Sequence, residues 1–289
     1  MIRAKIESPD PMLITRFGSV ELDCILNNLL TQKRSLFLRF EDRLRGSRFK
    51  KKYENKVKHK MNQNAGVFPV NSETLDRFVE LILGELVHID VLASWRLEEK
   101  YLFSYFNDFM ETIALEDLPP FHHKNPWSEA LKGMNVLVVH PFKNTILKQY
   151  SVHEKLFNDN RVLPEFNLQV FRAVQSIGMC SGPNAEKKEK FQDWFDALKY
   201  MEDEIVKIDF EIAIIGCGAY GMPLASSIKR MNKKAIHLGG TTQCLFGIKG
   251  KRWETEYNYD KIYYNDYWVR PDEEEIPEGF QKVENGCYW

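Results

Sequence analysis

Apolar residues along the chain fall into two alternating kinds of run. Short, nearly continuous ones occur at Met12–Thr15, Val87–Ala93, Asn135–Val139, Leu168–Val174, Phe210–Ile215 and Ala235–Leu238. Runs of this length are too short for buried helices and suit strands covered on both faces. Between them, apolar positions recur at helical spacing. From Ser19, the expected N-cap, to about Leu30, one face carries Leu22, Ile25, Leu26, Leu29 and Leu30. A helix capped by Asn71 or Ser72 carries Leu75, Phe78, Val79, Ile82 and Leu86. Further helices are expected over Glu98–Ile113, from near Thr145, over Lys188–Val206 and over Met222–Met231. Strands alternating with helices predict an α/β fold, Rossmann-like, with a mostly parallel sheet and helices on both faces. Past Trp253 the pattern breaks down, and residues 254–289 read as an irregular aromatic wrap over a single 1–289 domain.

In such sheets ligands bind at the carboxyl ends of the strands. The predicted ends carry Arg16, Gly18 and Glu21; Ser94 and Trp95; His140; Gln175; Gly216 to Gly221; and His237 to Gly240. Polar and glycine residues therefore gather at one edge. The turn Gly216-Cys217-Gly218-Ala219-Tyr220-Gly221 has the spacing G-x-G-x-x-G between a strand and a helix. It lets backbone approach a ligand and aims helix N–H groups at it, which suits an anion.

Charge and cysteine content narrow the picture. At 289 residues with a formal net charge of −1, the chain can bury a sizeable core. No apolar run approaches the roughly 20 residues that span a bilayer. The first residues lack a signal-peptide core, so a cytoplasmic protein is expected. Five cysteines, none in a C-x-x-C pair, argue against a zinc site or a disulfide framework. Between Lys33 and Lys60 stand twelve Lys or Arg against Glu41, Asp42 and Glu54. This basic helical insertion suits phosphates or peripheral contact with an anionic membrane surface, and equally a solvated face. No nucleic-acid partner is expected.

Three chemistries compete at the polar edge. An NAD(P)-dependent oxidoreductase would use the glycine turn, but His237 stands where the ribose-binding acid belongs, and the motif comes late in the chain. Cys217 lies at a helix start, where a thiolate is favoured, yet a small buried side chain explains it as well. His140 suits a base, a phosphate contact or a structural role. Arg16 to Glu21 is different, since both charges meet at a strand-to-helix junction. Arginine can take a diphosphate bidentately and an acid can take a hard divalent ion; a capped helix start with a paired arginine is the plain alternative.

Thr15 to Glu21 (TRFGSVE), Ile214 to Ala225 (IIGCGAYGMPLA), His237 to Gly240 and Leu245 to Trp253 (LFGIKGKRW) together resemble the bacterial glycosyltransferase-D-fold family of capsule and surface-polysaccharide clusters. The resemblance implies a glycosyltransferase that moves a sugar from a nucleotide-sugar donor, of the UDP-sugar type, to a glycan or lipid-linked acceptor. Carried over by position, Arg16, Gly18 and Glu21 match the family's motif, with Glu21 the candidate ligand of Mn²⁺ or Mg²⁺. On that reading, donor binding is expected at Arg16, Gly18, Ser19, Gly216, Gly218, Ala219, Tyr220, Gly221, Gly239, Gly240, Lys249 and Arg252, with Lys251 beside them. Glu21, His140 and His237 are the candidate catalytic residues, the histidines as base or phosphate contact. The family's metal motif has two acids after R-[FY]-G. Here Ser19 replaces the first, which leaves metal dependence open. It also keeps a competing expectation alive: a nucleotide-sugar-binding or scaffold protein without transfer activity.

Overall fold

A computed structural model describes residues 1–37, 55–177 and 190–289. Seven strands form one parallel sheet: β1 (Met12–Thr15), β2 (Val91–Ser94), β3 (Glu111–Ala114), β4 (Asn135–His140), β5 (Asn167–Arg172), β6 (Ile212–Ile215) and β7 (Lys234–His237). Their spatial order is β3-β2-β1-β7-β6-β4-β5, with every pair parallel. The α/β expectation holds.

The strands read as unbroken apolar runs because both of their faces are covered. Leu13, Leu137, Val139, Ala213, Ile215 and Ala235 face one layer. Met12, Ile14, Val136, Val138, Ile214 and Ile236 face the other. This period-2 split fits strand geometry. On the first side lie α2 (Ser19–Phe37), α3 (55–63), α4 (Ser72–Glu85), α6 (Trp194–Ile205) and α7 (Gly221–Arg230). On the second lie α1 (Ile2–Glu7), α5 (Lys143–Tyr150), α8 (Thr241–Leu245), α9 (Lys251–Thr255) and α10 (Tyr259–Ile262). Residues beyond Trp253 wrap this second side, with Tyr259, Trp268, Val283 and Trp289 in its core.

Asn71 caps α4, its side chain accepting from Thr74 N–H at 2.8 Å, and Asp193 does the same for α6 through Asp196 N–H at 2.8 Å. Other boundaries move. The helix expected over Glu98–Ile113 is instead a 3₁₀ stretch, Leu97–Tyr105, followed by the edge strand β3. Residues 111–114 are mostly exposed, so no apolar run announced a strand there. Val87–Ala93 splits into a 3₁₀ turn and β2, and α6 begins at Trp194 rather than Lys188. Ser19 is the first residue of α2, with Gly18 as the residue before it. Of the basic stretch 33–60, backbone through Phe37 and from residue 55 is helical, and the rest lies outside the described residues. Among the described residues no helix is long and apolar enough to cross a membrane.

Candidate functional site

A crevice opens over the carboxyl ends of the central strands. The strand order reverses between β4 and β6: the chain leaves β4 for β5 in one direction along the sheet and β6 for β7 in the other. The helix after β4 packs on one face of the sheet, and the helix after β6 packs on the other. Nothing fills the space between two such diverging connections, which is why open α/β sheets bind ligands there. A pocket of about 1070 Å³, counting solvent at its open mouth, occupies this place. It is lined from the ends of β1, β4, β6 and β7, the segment after β5, and two more distant segments, 64–66 and 284–289.

At the end of β1, Arg16 and Glu21 face each other across the start of α2. Glu21 folds back over Gly18 so closely that a β-carbon there would lie 2.0 Å from its Oε2. A side chain at this position would have to displace the Glu21 carboxylate from its place over the β1–α2 junction. Burial raises the Glu21 carboxyl above its ordinary range, while its own backbone N–H and Arg16 pull the other way. Burial likewise lowers Arg16, and Glu21 offsets part of that. Arg16 has no hydrogen-bond or salt-bridge partner among the described residues; its guanidinium carbon lies 5.8 Å from the Trp95 ring centroid. Trp95 is fixed in turn by donating Nε1–H to Phe17 O at 3.1 Å. Arg96 donates to Asp23 at 2.7 Å and to Ser19 O at 3.5 Å, tying the end of β2 to the same junction. A partly desolvated, unpaired guanidinium on a braced platform is ready to take a carboxylate or phosphate.

The glycine turn contributes less than its motif suggests. Gly216 is required for packing, since a β-carbon there would lie 2.6 Å from Gly239 O and from Thr242 Oγ1. Gly221 abuts His237, and its β-carbon would lie 2.2 Å from Nε2. Gly218 is the turn's left-handed residue, with φ +60°, and the space its side chain would enter is open pocket. Tyr220 is a cross-brace: its ring stacks on Trp194 at 4.8 Å, and its hydroxyl meets Ser176 Oγ at 2.6 Å. Ser176 Oγ then donates to Gly66 O at 2.6 Å. Cys217 is buried, and burial pushes its thiol well above the ordinary range, so no thiolate forms there.

Both histidines are buried and uncharged. His140 accepts Phe142 N–H on Nδ1 at 3.0 Å, which leaves the proton on Nε2. His237 Nδ1 pairs with Thr15 Oγ1 at 3.0 Å. Burial pulls each down to about 3, with Arg16 adding to the effect at His237. At neutral pH His140 is a neutral hydrogen-bond donor at the pocket wall, and His237 is chiefly a packing residue behind the glycine turn.

The far wall comes from the end of the described chain. Arg252 donates to Tyr288 Oη at 3.2 Å and pairs with Glu284, whose other oxygen accepts from Asn64 Nδ2 at 3.1 Å. Burial alone would lower Arg252, but Tyr288, Cys287 and Glu284 outweigh it and hold the cation firmly protonated. The start of α5, which also borders this edge, is already filled. Glu275 accepts from Asn144 N–H at 2.6 Å, Thr145 N–H at 3.0 Å and Thr145 Oγ1–H at 2.6 Å.

Of the residues singled out in sequence, Arg16, Gly18, Ser19, Glu21, His140, Gly216, Gly218, Tyr220, His237, Gly239, Gly240 and Arg252 all line the pocket. Ala219, Gly221 and Lys249 do not: Ala219 is buried, Gly221 is covered by His237, and the Lys249 ammonium lies 5.5 Å from the Tyr264 ring. Lys251 points to Asn285 O at 3.3 Å on the surface. Asn64, Ser176, Glu284, Tyr288 and Trp289 were not singled out, because only the folded chain brings them to this edge. Among the described residues no group of three His, Cys, Asp or Glu side chains could hold a metal ion. Glu21 beside Ser19 is a single carboxylate facing an arginine, so these residues do not fit the two-acid metal site the resemblance implies. Comparison with protein families, with characterised proteins and with solved structures finds no match to this chain.

Proposed function

We propose that this chain is a sugar transferase that binds a nucleotide-sugar donor in the crevice over the carboxyl ends of the central strands. The observation that carries the reading is Arg16: a partly buried guanidinium with no hydrogen-bond or salt-bridge partner among the described residues, in a pocket at the carboxyl edge of a parallel sheet. Such a cation wants an anion, and the diphosphate of the donor supplies one. Arg16 takes the diphosphate, and the neutral His140 Nε2–H donates to a phosphate oxygen. Both interactions strengthen as charge builds on the departing nucleoside diphosphate, which is the stabilisation that transfer needs. Glu21, with lone pairs facing the pocket, accepts from a hydroxyl of the donor sugar. The open mouth leaves room for a glycan or lipid-linked acceptor.

The test is calorimetric titration of UDP-glucose and other nucleotide sugars into the wild type and Arg16→Ala. Loss of one charge-assisted bidentate contact predicts at least a tenfold weaker Kd, about 1.4 kcal/mol or more. Absence of binding by any nucleotide sugar would sink the reading.

One observation favours a second reading, a nucleotide-sugar-binding protein without turnover. Both pocket histidines are held neutral with pKa about 3, so neither is tuned as a general base near pH 7. Donor binding without hydrolysis or transfer, over a wide panel of acceptors, would select this alternative.

A further inference from the structure

The side chains facing the pocket carry balanced charge: Arg16 and Arg252 against Glu21 and Glu284, with His140 and His237 neutral. Glu284 is the least expected of them. Its backbone is left-handed, with φ 45°, and Asn285 and Gly286 follow at 57° and 76°. Asparagine and glycine adopt that conformation readily, but glutamate does so at a cost in free energy. A strained residue at a pocket invites a functional account of its side chain. Arg252 does not depend on Glu284 for its placement, because it also donates to Tyr288 Oη and lies 5.0 Å over the Tyr288 ring. What Glu284 adds is charge.

We propose that Glu284 sets the charge preference of this pocket. Its carboxylate is the resident counter-ion of Arg252, and it favours a diphosphate esterified at both ends over a free nucleoside diphosphate. The inference rests on the nucleotide-sugar reading of the site. A nucleotide sugar carries about two negative charges near pH 7.5, whereas the free nucleoside diphosphate carries about three, because its terminal phosphate ionises a second time with a pKa of about 6. The extra charge lies where the sugar was attached and is repelled by Glu284. Donor is thereby retained in preference to the nucleoside diphosphate that transfer would release. Without the carboxylate, Arg252 would keep only its longer ion pairing with the exposed Glu256, at 3.9 Å, and would hold that product more readily.

The experiment compares the Kd values of UDP-glucose, UDP and inorganic pyrophosphate for the wild type, Glu284→Gln and Glu284→Gly at pH 7.5 and low salt. Glutamine keeps an oxygen for Asn64, and glycine relieves the left-handed strain, so both variants should fold; melting temperatures verify this. Removing one wall charge predicts that UDP tightens about tenfold and UDP-glucose about threefold, a change that shrinks at high salt. A purely structural Glu284 would leave the ratio of the two affinities unchanged, and that result overturns the proposal while wild-type binding of UDP-glucose keeps the nucleotide-sugar reading intact. If neither uridine nucleotide binds, that reading fails and pyrophosphate decides the charge role. Tighter binding by Glu284→Gln supports it, and equal binding ends it.

Discussion

Gly221→Ala puts the contact between the glycine turn and His237 to a quantitative test. The new methyl carbon would lie 2.2 Å from Nε2, 2.5 Å from Cδ2 and 2.9 Å from Cε1 of the imidazole. The ring cannot swing away freely, since it is 5% exposed and Nδ1 is tied to Thr15 Oγ1. Accommodation requires the ring or the start of α7 to move. Overpacking of this kind costs about 1–3 kcal/mol, and breaking the buried hydrogen bond adds about 1–3 kcal/mol. Replacing glycine in a helix returns at most about 1 kcal/mol. With the full return, the net loss is about 1–5 kcal/mol. An unfolding entropy of about 0.6 kcal/mol/K for a chain of this length turns that into a melting temperature lower by about 2–8 °C. Calorimetric melts of Gly221→Ala, His237→Ala and the double variant measure it. Removing the ring makes room for the methyl, so the double variant should be more stable than the sum of the singles by about 1 kcal/mol or more. A Gly221→Ala protein melting with the wild type, or strict additivity, would refute the packing account and return the third glycine to ligand binding.

Three further outcomes follow from the same geometry. His140 and His237 sit at about 3 in the folded chain against an ordinary 6.5, so the unfolded chain binds protons first as pH falls. Stability is full above about pH 6.5 and drains towards pH 3; urea midpoints should drop between pH 7 and 4.5, and His140→Asn should flatten that slope. Glu21 has the opposite sign: its raised carboxyl favours the protonated form, and that contribution is lost as pH rises through the folded pKa. Glu21→Gln should therefore raise the melting temperature at pH 7.5 and leave it unchanged near pH 4; a lower melting temperature at pH 7.5 would contradict the burial account. Glu275→Ala strips the α5 start of three hydrogen bonds from a carboxylate that is 2% exposed. It should cost about 2–3 kcal/mol, and amide exchange should accelerate at Asn144 and Thr145.

What could be read from the sequence follows from burial. β4 and β6 are covered on both faces, and their unbroken apolar runs gave them away. The edge strand β3 has one neighbour and mostly exposed residues, so its pattern blended into the helical spacing before it. The 3₁₀ stretch Leu97–Tyr105 carries helix-like apolar positions that tertiary packing tightened. At the site, residues at strand ends were accessible to reasoning because a parallel sheet aligns those ends. Asn64, Glu284 and Tyr288 were not, because no local period tells which surface a late, irregular segment will cover. In the acidic run Asp272 to Glu275 no local pattern marks Glu275, the buried cap, off from its neighbours. The glycine motif was legible as a turn and misleading as a ligand cradle, since two of its three glycines make room for the protein's own atoms.

The pocket is walled by residues 16–21 on one side and 284–289 on the other. β1 is synthesised well before β7, which lies more than two hundred residues later and pairs its second edge. A chain halted near residue 280 would present the guanidinium of Arg16 to an open crevice with one wall missing. Contacts of such high sequence separation make folding slow. They also mean that the crevice has no far wall until residues 284–289 are in place, so any ligand that needs both walls stabilises only chains that carry them.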